Sequence, residues 1–224
     1  MNCSSHPSFR PRPSLLRVSP ALLAALLLPF ASATAAPDPA PFPTFPDKKG
    51  LQVQMVEDAL ALGIHHAGIN VSYGSLFQMA AGPGTVPFQW EGRTWFINEG
   101  YARSLDRQIA PLSGKGVAVY LILLAYPTKD PARDALLLHP AARADGKYNI
   151  SAFNTATPDG LALYRAITAF LAQRYSTDGP HGRVWGYIIG NEVNSQWMWY
   201  NLGNMPVDQA ASEYEKAVRA AHEV

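Results

Sequence analysis

An amide and a carboxylate side by side, Asn191-Glu192, stand at the end of the apolar run Val184-Trp185-Gly186-Tyr187-Ile188-Ile189-Gly190. A β-branched run of this kind reads as a strand covered on both faces, as in parallel sheets, where functional groups sit just past the carboxyl ends of the strands. A glutamate delivered there is placed to exchange a proton or to grip a ligand. Asn194, Trp197, Trp199 and Tyr200 follow at once. The flat rings of Trp197, Trp199 and Tyr200 can stack on a sugar or fill a core, and the sequence leaves both open.

The elements that must position these residues are legible along the chain. Residues 48–54 suit a short first strand, Val56 to Leu62 a short helix ended by Gly63, and Ile64 to Val71 a second strand. A hairpin is expected from Phe88 to Ile97, turning at Glu91-Gly92. The next helix runs from Tyr101 to Lys115 with Leu105, Ile109 and Leu112 on one face, and Val117 to Leu124 is a continuous apolar strand. Thr157 and Pro158 suit the cap and first position of a helix reaching Tyr175, with Leu163, Ile167, Phe170 and Leu171 as its buried stripe. It feeds the Val184 strand, and a last helix starts near Val207 with Tyr214, Val218 and Ala221 on one face. Four β-then-α units in series predict an α/β fold with a parallel sheet and right-handed crossovers.

The connections are unequal. Helix-to-strand turns are short, as at Gly63 and Gly116, whereas residues 72–100 and 125–156 each form strand-to-helix segments of about 30 residues, far above the usual 2–6. In a β/α barrel the elaborated end is the one that grips substrate. Asn70 and Tyr73 after the second strand and Tyr126 after the third are therefore candidates to line a mouth with Asn191 and Glu192. Asp130, Asp134 and His139 lie in the long segment after the third strand and are weaker candidates. His65 and His66 open a strand at the opposite end and read as packing or surface residues.

Composition narrows the field. A net charge of +1 on 224 residues gives no electrostatic footprint for nucleic acid. Arg10, Arg12 and Arg17 precede the apolar segment from Ala21 to Phe30, and residues 31–36 carry A-x-A cleavage patterns. Residues 1–35 thus read as a signal peptide, which predicts a secreted or periplasmic protein with no membrane association after cleavage. The only cysteine, Cys3, falls in that segment, so the mature chain has no thiol or disulfide. Prolines 37, 39, 41, 43 and 46 make residues 36–47 look like an extended linker to a body spanning 48–224.

The order of elements, with Gly190-Asn191-Glu192 closing the fourth strand, resembles the clan of retaining glycoside hydrolases built on (β/α)8 barrels of the TIM type. Within it, Ile189-Gly190-Asn191-Glu192-Val193-Asn194 and Trp197-Met198-Trp199-Tyr200-Asn201 look like an uncharacterised family of secreted bacterial proteins with glycosidase-like barrels. The resemblance implies that Glu192 is the general acid/base, that Asn191 binds the sugar 2-hydroxyl, and that a second glutamate ending a seventh strand is the nucleophile, in the two-carboxylate arrangement of retaining enzymes. Burial beside Trp197 and Trp199 would help keep Glu192 protonated. About four β/α units fit in residues 48–224, the N-terminal half of such a barrel, so the nucleophile is expected beyond residue 224 and this stretch alone is expected to be inactive. Half a barrel leaves two open edges, and self-association of the isolated fragment follows.

The expected partner is an oligo- or polysaccharide. Neither a metal site nor a cofactor is called for, and no G-x-S-x-G, P-loop or G-x-G-x-x-G pattern supports serine-hydrolase or nucleotide chemistry. A non-catalytic carbohydrate-binding barrel and a structural envelope protein are the rival readings.

Overall fold

A computed structural model describes residues 40–145 and 150–224; the expected signal peptide lies outside the described residues. The fold is α/β, centred on a parallel sheet of four strands: β1 (Gly50–Gln52), β2 (His66–Ser72), β6 (Ala118–Leu124) and β7 (Gly186–Ile189), hydrogen-bonded in that order. The order in space follows the order in sequence. Right-handed crossovers that all step the same way place their helices on one face.

The alternation of side chains agrees. Ala67, Ile69 and Val71 of β2, with Val119, Leu121 and Leu123 of β6, form the helix-covered face and are buried. On the opposite face the register aligns Asn70, Ile122 and Ile188 in one cross-strand row, where Asn70 is exposed and Ile188 is 49% exposed.

Helices α1 (Val56–Ala61), α3 (Glu99–Gly114) and α5 (Pro158–Tyr175) fall within two or three residues of their expected bounds. Their stripes, Leu105, Ile109 and Leu112 on α3 and Leu163, Ile167 and Leu171 on α5, are all but fully buried. Each such side chain contributes about 1.5–3 kcal/mol relative to exposure. The Thr157 hydroxyl accepts from Gly160 N at 3.2 Å, and Pro158 occupies the first turn, where its missing N–H costs nothing. On α6 (Val207–His222) the buried residues are Ala210, Ala217 and Ala220; Tyr214 is half-buried and Val218 is 40% exposed, so the expected Tyr214-Val218-Ala221 face is displaced. Close approach to α5 explains this, since the Tyr164 hydroxyl reaches the Ala217 carbonyl at 3.0 Å and only small side chains fit between.

The two long segments are structured. Residues 73–98 hold a short helix, α2 (Tyr73–Leu76), and an antiparallel sheet in the order β3 (Phe77–Gln78), β5 (Arg93–Asn98), β4 (Thr85–Trp90). The expected hairpin turns at Glu91 (φ 47°) and Gly92 (φ 74°), two positive values of the kind a type I′ turn requires. The second segment, after β6, contains α4 (Pro131–Leu137), capped by Asp130, whose carboxylate accepts from Ala132 N and Arg133 N.

The proline-rich stretch is not a free linker where it is described. Phe42 packs on Trp185 with ring centroids 5.5 Å apart, and Phe45 lies 4.6 Å from His66 and 6.0 Å from His65. His65 Nδ1 meets Asp47 at 2.8 Å. Residues 42–47 thus run beneath the amino ends of β2 and β7, using the apolar rings placed between the prolines as anchors.

Candidate functional site

The carboxyl end of β7 is built by a close approach. Gly190 has φ +76°, and a Cβ there would lie 2.5 Å from the Tyr200 ring, so glycine is required both by the backbone and by the neighbour. Tyr200 is buried and packs edge-on against Tyr214, 5.6 Å away. A series of turns returns the chain from Glu192 to Tyr200: Ser195 N donates to Glu192 O at 2.7 Å, and Met198 N and Trp199 N both donate to Ser195 O. Asn201 locks the return, accepting from Arg143 N and Gly203 N and donating to Arg143 O, while its backbone pairs with Ile150 and Ala152.

On this rim Glu192 is exposed and has φ 41°, a left-handed value that costs a non-glycine residue about 1–3 kcal/mol. Its carboxylate has no hydrogen-bond or ion-pair partner among the described residues. Asn194 is exposed, Trp197 is 56% exposed, and Asn191 and Trp199 are half-buried. The burial of Glu192 by tryptophan rings expected from sequence is absent. The turns that raise residues 193–199 hold Trp197 out in solvent, where its face is available.

The other candidates divide. Asn70 is exposed and its Oδ1 accepts from Gln52 Nε2 at 2.9 Å, on the uncovered face of the sheet. Tyr126 is half-buried and lines a cleft of about 350 Å³ with Ser72, Gln78, Asn98 and Arg133; desolvation pushes its hydroxyl above the usual range. Tyr73 does not line a mouth. It is 1% exposed, packed at a tilt against Phe153 with ring centroids 4.9 Å apart, and bonded to Thr168 Oγ1 at 2.8 Å. Because the Thr168 hydroxyl donates its single hydrogen to Tyr164 O, Tyr73 is the donor in that pair. The residue one step after the strand points to the core because α2 begins there.

Asp130, Asp134 and His139 are framework residues as well. Asp134 accepts from Thr128 N at 2.7 Å and from its hydroxyl at 2.6 Å, and His139, 6% exposed, meets Glu213 at 3.3 Å. Burial lowers the readiness of His139 to take a proton, and Glu213 opposes that shift. Among the described residues no cluster of three or more His, Cys, Asp or Glu side chains could hold a metal ion.

Sequence reasoning missed the cleft around Arg133. The signal was present: Asp130-Pro131 is a cap followed by a first-turn proline, which announces a helix and brings Arg133 up against the segment after β2. Another cleft, about 450 Å³, lies at the carboxyl end of α5 beside Phe88, Phe170, Arg174 and His181. It borders the ion cluster in which Arg174, Tyr175 and His181 all bind Asp106.

No curated protein and no solved structure matches the chain. Residues 41–224 match the model of one family, described as a family of unknown function, DUF5722. The match takes in the docked Phe42 and Phe45, the whole parallel sheet and the Gly190-Asn191-Glu192 rim, so the segment beneath the sheet belongs to the same unit as the site above it. On that coverage the chain belongs to the DUF5722 family.

Proposed function

We propose that this chain is the first half of a secreted, carbohydrate-active (β/α)8 barrel, a retaining glycoside hydrolase in which Glu192 is the general acid/base and the nucleophilic carboxylate comes from strands after residue 224. The observation that carries this reading is an unpartnered, left-handed Glu192 at the carboxyl end of the fourth parallel strand, beside Asn191 and an exposed Trp197. Strand order in sequence without a reversal fits a barrel rather than a doubly wound sheet, whose order reverses at a switch point. In this mechanism Glu192 protonates the glycosidic oxygen as the bond breaks, then removes a proton from the water that releases the enzyme-bound sugar. Asn191 hydrogen-bonds the ring hydroxyl next to the reacting carbon, and Trp197 offers a stacking face.

The test uses the protein that carries the second carboxylate. Glu192→Gln slows glycosides with poor leaving groups by about 10²–10⁴-fold and spares the first step on activated aryl glycosides, which need little protonation. Equal slowing of both classes would count against the role. Asn191→Ala lowers kcat/KM with an unchanged pH profile, since an amide does not titrate. Export predicts a mature N-terminus between Ala33 and Ala36, read by mass spectrometry; a retained Met1 would refute it.

One observation favours the rival binding reading. The other three parallel strands end at Gln52-Val53, Ser72-Tyr73 and Leu124-Ala125-Tyr126, with no carboxylate among them. A barrel without the downstream glutamate would hold a saccharide in the same cleft without cleaving it.

A further inference from the structure

We propose that the groove around Arg133 binds the carboxylate of an acidic sugar, a uronate, and so makes the ligand of this rim an anionic polysaccharide. The inference rests on the carbohydrate reading above and adds the charge class of the ligand.

The groove is made by two clefts of about 350 and 340 Å³ that share Gln78 and Asn98 on their walls. It opens beside the carboxyl ends of β2 and β6, where Ser72 and Tyr126 stand. From β7 to β2 is two strand spacings, about 10 Å, a distance that linked sugar rings can span from Glu192. The walls carry hydroxyls and amides suited to a polyhydroxylated ligand, a cation in each cleft, Arg133 and Arg103, and no carboxylate among the described lining residues.

Arg133 is the unusual member. Of the five guanidinium N–H groups, one on Nη1 donates to Gly74 O at 3.2 Å and one on Nη2 to the Gln78 Oε1 at 3.0 Å. Nε is buried with no partner, and no carboxylate lies within ion-pairing distance among the described residues. Its acidic neighbours on α4 are occupied, Asp130 with the cap and Asp134 with Thr128. Arg103 is answered by Glu99 at 3.2 Å, Arg165 by Glu91 and Glu223, and Arg174 by Asp106. A half-buried guanidinium held in place by two neutral acceptors keeps its positive charge and its remaining donors for an anion, and a carboxylate is the planar match.

The experiment measures binding to the whole mature protein by calorimetry, using oligomers of galacturonic, glucuronic and mannuronic acid, each beside its carboxyl-reduced neutral counterpart. The expected result is that at least one uronate oligomer binds about tenfold or more tightly than its neutral partner. Arg133→Gln should bring the two together, and Arg133→Lys should retain the preference. The Arg133 Nε–H resonance should move on addition of the uronate and stay still with the neutral sugar, a readout that needs no substitution. Equal binding of charged and neutral oligomers overturns this inference and leaves the carbohydrate reading standing. Binding of no sugar at all overturns both, and a preference that survives in folded Arg133→Gln, or a resonance that does not move, assigns the anion elsewhere.

Discussion

Two glutamates share one backbone conformation and nothing else. Glu91 at φ 47° and Glu192 at φ 41° both sit where a non-glycine residue is strained. At Glu91 the strain has a structural reason: it is the first residue of a two-residue hairpin turn, and its carboxylate accepts from Arg165 Nε at 3.1 Å and Nη2 at 2.9 Å. At Glu192 there is no hairpin, only a turn in which its carbonyl accepts from Ser195 N at 2.7 Å, and its carboxylate has no partner among the described residues. Asp106 extends the contrast, being bound by Arg174 at 2.9 and 2.5 Å, by the Tyr175 hydroxyl at 2.8 Å and by His181 at 3.0 Å. On the helix side these carboxylates are saturated, and on the rim the carboxylate is presented bare. A strained residue with its functional group unspent is the pattern of a site and not of a scaffold.

That comparison can be broken first by kinetics. On the proposed glycosidase reading, the 10²–10⁴-fold loss expected for Glu192→Gln on poor leaving groups should have no counterpart in Glu91→Gln. A similar loss from Glu91→Gln would show that the two glutamates differ in surroundings and not in role.

The next largest effect is on stability. Asp106→Asn should cost about 1–3 kcal/mol in denaturant unfolding, because charged hydrogen bonds are lost together. Burial alone would raise the Asp106 carboxyl, but the hydrogen bonds of Arg174 and Tyr175 and the charges of Arg174 and His181 prevail and hold it below the usual carboxylate range. A depressed folded value means that the stabilisation is complete above the unfolded pKa of about 4 and disappears as pH falls through the lower folded value. The gap between the wild type and Asp106→Asn should therefore narrow as the pH is taken below about 4. A gap that stays constant with pH would mean that the cost is one of packing.

Smaller still, and opposite in sign, is Glu192→Gly. Relieving the left-handed strain without breaking any contact should raise stability by up to about 1 kcal/mol, offset in part by the greater freedom of glycine in the unfolded chain. A loss of stability would reveal a structural task for this carboxylate. Smallest is Glu91→Gln, about 0–1 kcal/mol, since the pair is exposed and Arg165 keeps Glu223 at 2.6 Å.

Much of the fold was legible because the period of the apolar residues states it directly. Leu105, Ile109 and Leu112 predicted α3 and its buried face, and Thr157-Pro158 predicted where α5 begins. Glu91-Gly92 predicted the turn. Fidelity was lower wherever a residue's environment depends on distant chain. Tyr73 and Tyr126 occupy similar places after their strands, yet one is core and the other lines a cleft, because α2 turns Tyr73 onto Thr168, 95 positions away. Prolines 43 and 46 suggested a linker, and the phenylalanines beside them dock on Trp185 and His66.

By itself the sequence determined the α/β order, the helices and their buried stripes, and Glu192 as the residue that the fourth strand delivers, since each follows from local spacing and backbone preference. Only the tertiary structure decided which polar groups remain unspent. Asp130, Asp134 and His139 are ordinary candidates in sequence and find partners on folding, whereas among the described residues Glu192 and Arg133 reach the rim without a charged one. Partnership is a matter of a few ångströms between segments far apart in the chain, and no local pattern encodes it.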